Sequence, residues 1–114
     1  LKSAPGSRDI RTNVGSTPLH LAAANADPGA LKALIDAGAD PNVRDHDGMT
    51  PLHVAAYSQN ARHAQLLLEA GADPYALTAS GRDPTSVARK AMAYEVAGVI
   101  SLWLLKKCSP GKPC

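Results

Sequence analysis

A 33-residue internal repeat constrains the fold of this chain more than any other feature. The block Thr17–Ala23 recurs as Thr50–Ala56, and the block Gly38–Pro41 recurs as Gly71–Pro74, both at an offset of 33. A decayed third copy of the first block follows at Asp83–Arg89. No insertion or deletion is needed to align the copies. A repeat of this length is typical of a supersecondary unit that stacks on its neighbours along the chain.

Each unit predicts a pair of short helices. Thr17 and Thr50 each precede a proline, a pattern typical of an N-cap followed by proline at the first helical position. Gly38 and Gly71 are placed to end the second helix in a left-handed conformation. The predicted first helices span about 18–25 and 51–58, and the second about 28–37 and 61–70. One such pair cannot bury its apolar face alone, so we expect a solenoid of stacked pairs.

Composition and charge favour one helical domain and exclude two classes of partner. The chain has 114 residues, enough for one domain, and its 45% hydrophobic fraction is rich in Ala and Leu, without Phe. The 12 basic and 10 acidic residues are mixed along the chain, so we expect no nucleic-acid partner. The longest apolar stretch, Val96–Leu105, is too short to span a membrane and predicts a buried helix. Because the chain begins at Leu1 rather than Met, we expect a processed protein or a fragment.

These motifs resemble the ankyrin repeat. Asp45–Ala56 matches the pattern D-x-x-G-x-T-P-L-H-x-A-A, and Gly38–Asn42 matches G-A-D-x-N. The resemblance covers about residues 9–105. It implies an all-α fold, an ankyrin-repeat solenoid of stacked helix-turn-helix pairs with β-turn or hairpin loops. It also implies a non-catalytic module that binds another protein and needs no cofactor.

The resemblance predicts three segments. Residues 1–8 form a flexible N-terminal segment, residues 9–107 form the repeat domain, and residues 108–114 form a tail. The repeats are expected at about 13–45, 46–78 and 79–107, the last a degenerate capping repeat. The family usually has Gly-His between its two helices, where this chain has Ala26-Asp27, Gln59-Asn60 and Met92-Ala93. The sequence leaves open whether these turns keep a left-handed conformation.

Two groups of residues invite a catalytic or metal-binding interpretation. His20 and His53 could bind a metal or act as bases, but the resemblance implies a structural role, linking loop and helix by hydrogen bonds. Asp45-His46-Asp47 lies in the predicted turn between the first two repeats, where we expect all three side chains to be exposed. Asp45 shapes the turn in the family pattern. His46 and Asp47 are left either for partner contact or for solvent, and catalysis is the weakest interpretation.

The resemblance places the partner-binding surface on the turn tips and on the exposed side of the first helices. The partner-binding residues predicted there are Arg11, Asn13, Arg44, His46, Asp47, Met49, Tyr57, Ser80 and Arg82. Aromatic, Met and Arg side chains dominate protein interfaces, so we single out Met49, Tyr57 and the three arginines. The arginines recur in the tip region, which predicts a partner with an acidic surface.

The C-terminal region carries two further alternatives. Cys108 and Cys114 enclose a Pro- and Gly-containing loop and form either a disulfide ring or two free thiols, and they are too few for a zinc site. Trp103 either packs on the preceding repeat or seals the end of the stack, or it contacts a partner or second copy. We expect a monomer or a weak dimer.

Two functional hypotheses arise from these features. In the first, the chain is a bacterial exported inhibitor or self-protection (immunity-like) protein that blocks a cell-wall or toxic enzyme. A disulfide would then indicate a periplasmic or secreted location. In the second, the chain is a scaffold fragment of a larger intracellular ankyrin-repeat protein, with a cytoplasmic location.

Overall fold

The computed structural model describes residues 17–25 and 27–106, which form six helices. The helices are α1 (Pro18–Ala24), α2 (Pro28–Asp36), α3 (Pro51–Tyr57), α4 (Ala61–Glu69), α5 (Pro84–Lys90) and α6 (Tyr94–Leu105). All regular secondary structure in these two ranges is helical, which confirms the predicted all-α class. The predicted segments at 1–8 and 108–114 lie outside the described residues, and so do the predicted contacts Arg11 and Asn13 and the possible disulfide between Cys108 and Cys114.

The first helix of each pair begins at a polar N-cap followed by proline. The Thr17 hydroxyl accepts a hydrogen bond from the His20 N–H, and the Thr50 hydroxyl accepts one from the His53 N–H. In the third copy Asp83 replaces threonine, and its carboxylate accepts from the Ser86 N–H at 2.7 Å. The cap therefore survives in the decayed repeat because any short acceptor can satisfy the free N–H groups of the first turn.

The second helices end as the sequence predicts. Gly38 and Gly71 have φ angles of 91° and 109°, in the left-handed region that glycine adopts without a Cβ clash. After Gly38, the Ala39 N–H donates to the Leu34 carbonyl at 3.0 Å, which satisfies a carbonyl at the helix end. The chain then leaves the helix toward the turn that begins the next repeat.

The turns between paired helices keep the left-handed residue without glycine. Gln59 has φ 64° and Met92 has φ 61°, and both side chains are exposed. A non-glycine residue in this region is less favourable by about 1 kcal/mol. The tertiary contacts of the flanking helices therefore impose this conformation on residues that do not favour it. The corresponding Ala26 lies outside the described residues.

The helices stack in two layers. α1, α3 and α5 pack side by side in an inner layer, and α2, α4 and α6 form an outer layer behind them. One apolar core runs between the layers, and its largest fully buried side chains include Leu19, Leu31, Leu52, Leu67, Leu68, Val96 and Ile100. The many buried alanines let neighbouring helices approach closely. This stacking holds the inner helices and the turn tips on one side of the molecule.

Candidate protein-binding groove

The turn tips are built by short hydrogen bonds around a central glycine. In the first tip, the Gly48 N–H donates to the Asp45 carbonyl and the Asp45 N–H donates to the Met49 carbonyl, both at 3.0 Å. The Asp45 carboxylate accepts from the Asp47 and Met49 N–H groups, each at 2.9 Å. Asp45 is half-buried, so the expectation that it is exposed is wrong, whereas His46 and Asp47 are exposed. Its carboxylate stabilises the turn, which is the role that the family pattern implies for Asp45.

The second tip repeats this geometry and packs directly on the first. The Thr78 N–H donates to the Arg82 carbonyl at 2.9 Å, and the Ala79 N–H donates to the Asp47 carbonyl at 2.9 Å. Gly48, with φ 75°, lies at this contact, and a Cβ there would be 2.8 Å from the Ala79 nitrogen. The close approach of backbone to backbone therefore requires glycine for space as well as for conformation.

His20 and His53 each link an inner helix to the following turn tip. The Thr17 N–H donates to His20 Nδ1 at 3.1 Å, so Nε2 carries the proton and donates to the Met49 carbonyl at 2.7 Å. The Thr50 N–H donates in the same way to His53 Nδ1 at 3.1 Å, and His53 Nε2 donates to the Arg82 carbonyl at 2.9 Å. Both ring nitrogens of each histidine are used, and both rings are buried. The structural interpretation of the two histidines is therefore confirmed.

Burial lowers the pKa of His53 below its usual value of 6.5, because the charged ring would lose its hydration. The nearby Arg44 cation acts in the same direction. The hydrogen bonds with the backbone at Arg82 and Ala76, and the Asp83 carboxylate, oppose the effect but do not outweigh it. His53 is thus held neutral, in the form that fits its structural role.

Between the turn tips and the inner helices lies an open groove of about 680 Å³. Its lining combines apolar, aromatic and polar side chains. The residues that line it are Asp47, Met49, Tyr57, Gln59, Thr78, Ser80, Arg82, Val87, Lys90 and Ala91. Tyr57 is 70% exposed, and Met49 is half-buried. An exposed aromatic ring beside a methionine and an arginine is typical of a protein-binding surface.

The groove contains five of the predicted partner-binding residues: Asp47, Met49, Tyr57, Ser80 and Arg82. Arg44 and His46 are exposed but lie outside the groove lining. Arg44 Nη1 donates to the Leu77 carbonyl at 2.8 Å, so this arginine links one tip to the next. That hydrogen bond gives Arg44 a role within the fold.

Three lining residues, Gln59, Val87 and Ala91, were not among the residues predicted from the sequence to bind a partner. Gln59 follows the inner helix α3, and its side chain donates to the Ala91 carbonyl of the next repeat at 3.1 Å. Val87 and Ala91 look like ordinary apolar repeat positions, yet they form part of the groove lining. Gln59 departs from the usual family glycine, and that departure is the signal that could have identified it.

Trp103 is 3% exposed, so it packs within the stack, as the first alternative for this residue predicts. Among the residues that the structure describes, the Trp103 indole N–H has no hydrogen-bond partner, and neither has either ring nitrogen of the buried His63. Within the described ranges, no three His, Cys, Asp or Glu side chains are placed to hold a metal. None of the six helices is long and apolar enough to cross a bilayer.

Comparison with known families agrees with this architecture. The model of the family described as ankyrin repeats (3 copies) matches residues 1–78 of the chain. The chain belongs to the ankyrin repeat family. Ankyrin-repeat domains are generally non-catalytic and bind other proteins, so this ankyrin-repeat chain is a protein–protein interaction module. A comparison with curated proteins finds no match.

Proposed function

We propose that a partner protein binds along the groove between the turn tips and the inner helices, and that the chain acts by covering a functional surface of that partner. The observation that carries this proposal is the position of Tyr57, Met49 and Arg82 in one open groove. Each belongs to a residue type that contributes strongly to binding energy at interfaces. The scaffold holds them in place before binding, which reduces the entropy lost on association.

The charges of the groove favour a partner with an acidic surface. Arg82 and Lys90 are exposed cations in the lining, and Asp47 is the acidic residue among the lining side chains. Arg44 and Arg89 are also exposed, and each lies within three residues of a lining residue in the sequence. The positive electrostatic potential of these cations increases the rate of association with an acidic surface, and this effect decreases as the salt concentration increases.

The proposal is tested by capturing partners from the source cells with the wild-type chain and with groove variants. Tyr57→Ala removes the aromatic contact, and Arg82→Glu reverses a groove charge. Arg62→Glu makes the same charge reversal on an exposed position of α4, in the outer layer, and serves as the matched control.

A partner identified in this way is then titrated against each variant by calorimetry. We expect each groove variant to weaken binding about tenfold or more, a loss of about 1.4 kcal/mol, and the control to bind like wild type. Equal binding by wild type, Tyr57→Ala and Arg82→Glu would place the interface elsewhere and overturn the proposal.

For the biological role, we favour an exported bacterial inhibitor or self-protection protein that blocks a cell-wall or toxic enzyme, located in the periplasm or outside the cell. Its support is the cysteine pair Cys108 and Cys114 in a small binding module. The alternative is a scaffold fragment of a larger intracellular protein in the cytoplasm. The mass of the native chain separates them: loss of two hydrogens relative to the reduced chain supports export. A native mass that corresponds to two free thiols favours a cytoplasmic location. Separately, an enzyme partner that keeps its activity when the chain is bound contradicts the inhibitor role.

A further inference from the structure

The two helices of the last described repeat differ in the face that a further repeat would cover. On α5, the face that a following repeat would cover carries Asp83, Ser86 and Arg89, which are polar. The residues 33 positions earlier, on α3 and its cap, are all buried. Polar residues at these positions let α5 face water, as a terminal repeat requires.

The corresponding face of α6 remains largely apolar. Tyr94, Gly98, Ser101, Leu102 and Leu105 recur at helical spacing and form one exposed stripe along this 12-residue helix, the α6 stripe. Tyr94 is 68%, Leu102 54% and Leu105 78% exposed. Three large apolar side chains exposed on one helix face are typical of a surface that forms an interface with another protein segment.

The repeat shows what kind of element covers such a face. Ser101 and Leu105 are exposed, whereas the residues 33 positions earlier, Leu68 and Ala72, are both 0% exposed. Leu102 is exposed and stands where α4 has the half-buried, acidic Glu69. α4 packs against the next outer helix, α6. The α6 stripe therefore has the geometry of a helix-docking face.

We propose that the α6 stripe binds the α6 stripe of a second copy of this chain, with the two helices antiparallel around a two-fold axis near Gly98 and Ser101. A Cβ built on Gly98 would meet nothing within 4 Å, so the second helix can approach closely there. Antiparallel pairing places Leu102 of each copy next to Gly98 of the other, where a large side chain meets an open space.

Charge complementarity selects the second copy and the antiparallel direction. Glu95 lies at the start of α6 and Lys106 just after its end, and both are exposed. At 100° per residue they fall on the same flank of the stripe. Equal flanks face each other in an antiparallel pair, so Glu95 of each copy meets Lys106 of the other. In a parallel pair, Glu95 of one copy would instead lie at the same height as Glu95 of the other, and Lys106 at the same height as Lys106.

One helix against one helix buries less surface than a standard protein interface, so the dimer is weak and forms at high protein concentration. The groove is lined by the turn tips, α3 and α5 and does not include the α6 stripe. Dimerisation and partner binding in the groove are therefore separable.

Sedimentation equilibrium of the full chain over a wide concentration range tests the proposal. Wild type should show a monomer–dimer equilibrium, and Leu102→Glu should raise the dissociation constant about tenfold or more, because it places two carboxylates at the centre of the interface. Leu21→Glu is the matched control: Leu21 is 57% exposed on α1, at the opposite end of the stack. It should dimerise like wild type, and so should the groove variant Tyr57→Ala.

The charge pair gives a second, independent readout. Glu95→Lys and Lys106→Glu should each weaken the dimer, and the double variant Glu95→Lys/Lys106→Glu should restore it, because the pair is re-formed with exchanged signs. A chain that stays monomeric at every concentration overturns the proposal, whether the stripe is covered by the chain's own tail or by a different protein. A dimer unaffected by Leu102→Glu, or equally weakened by Leu21→Glu, also overturns it.

Discussion

The repeat predicted at 46–78 and the last repeat share one backbone geometry but differ in their links to the next turn tip. α3 and α5 each have seven residues and begin at a capping residue followed by proline. His53 of α3 donates to the Arg82 carbonyl of the next tip, whereas Ser86 occupies its place in α5. The residues that shape a helix are thus kept in both repeats. The histidine that links a repeat forward is kept in α3, which has a further described repeat after it, and is replaced by Ser86 in α5.

In the outer layer, the helix of the last repeat is instead the longer one and has the larger buried side chain. α6 is 12 residues long and α4 is nine, and α6 carries the buried Trp103 where α4 has Ala70. The last repeat therefore lacks the histidine link but has a longer outer helix and a larger buried side chain in the core. Each residue pair separated by 33 positions offers a controlled test of this comparison.

The largest effect is expected at His53. His53→Ala removes the hydrogen bond to the Arg82 carbonyl and leaves the buried Thr50 N–H without its acceptor. We expect the free energy of unfolding to fall by about 2–3 kcal/mol, measured by urea denaturation. Ser86→Ala, the equivalent change in α5, should lower it by less than about 0.5 kcal/mol. Equal losses would mean that His53 contributes no link between repeats.

The second comparison is between the tip glycines. Both Gly48 and Gly81 have positive φ, but only Gly48 lies against the backbone of another tip, whereas nothing lies within 4 Å of a Cβ at Gly81. Gly81→Ala should lower the free energy of unfolding by about 1 kcal/mol, the cost of the conformation alone. Gly48→Ala should lower it by about 2 kcal/mol or more, because the Ala79 backbone must shift. If the two variants unfold at the same urea concentration, the contact between Gly48 and the Ala79 backbone does not contribute to stability.

The pKa of His53 predicts how stability depends on pH. Its folded pKa lies below 6.5, so as the pH falls through 6.5 the unfolded chain gains a proton before the folded chain does. Stability is therefore full above this range and decreases on acidification, by at most about 1.4 kcal/mol per pH unit from this group. Urea unfolding of wild type and of His53→Gln across this range measures the effect. The variant should show the shallower pH dependence, and parallel curves would contradict the prediction.

The third comparison is between Asn42 and Tyr75. The Asn42 side chain donates to the Gly71 carbonyl at 3.0 Å and accepts from the Asp73 N–H at 2.7 Å. Tyr75 stands 33 positions later and is 66% exposed. Asn42→Ala should lower the free energy of unfolding by about 1 kcal/mol, since water can replace these exposed bonds in part. Tyr75→Ala should leave it nearly unchanged, and a larger loss from Tyr75→Ala would reverse the comparison.

The smallest expected effect is a gain. Met92→Gly relieves a left-handed non-glycine residue whose side chain is 71% exposed, and should raise the free energy of unfolding by about 0.5 kcal/mol. Gln59→Gly relieves the same conformation but loses the hydrogen bond to the Ala91 carbonyl, so its net effect should be close to zero. Melting temperatures of the two variants measure the difference. A loss of stability in Met92→Gly would show that Met92 makes a stabilising contact.

The periodicity of the sequence predicted the fold and much of the groove. Threonine-proline helix starts, glycine helix ends and the 33-residue offset are local signals, and each depends only on backbone chemistry within a few residues. The same offset aligned Met49 with Arg82 on neighbouring tips, so their common surface could be predicted without coordinates. Whether these residues contact a partner stays a prediction. No local signal indicated that the side chains of Arg44 and Gln59 donate hydrogen bonds to a neighbouring repeat.

The sequence by itself determined the paired arrangement of the helices, the threonine caps and glycine ends of the regular repeats, the structural role of His20 and His53, and the family. Only the tertiary structure decided that Asp45 is half-buried, that Arg44 donates to the Leu77 carbonyl, and that Gln59 and Met92 adopt left-handed conformations. It also decided that Trp103 is buried while the α6 stripe is exposed. The physical reason is that burial and hydrogen bonding between repeats depend on how closely neighbouring backbones approach, and this distance is set by the stacking of the whole array.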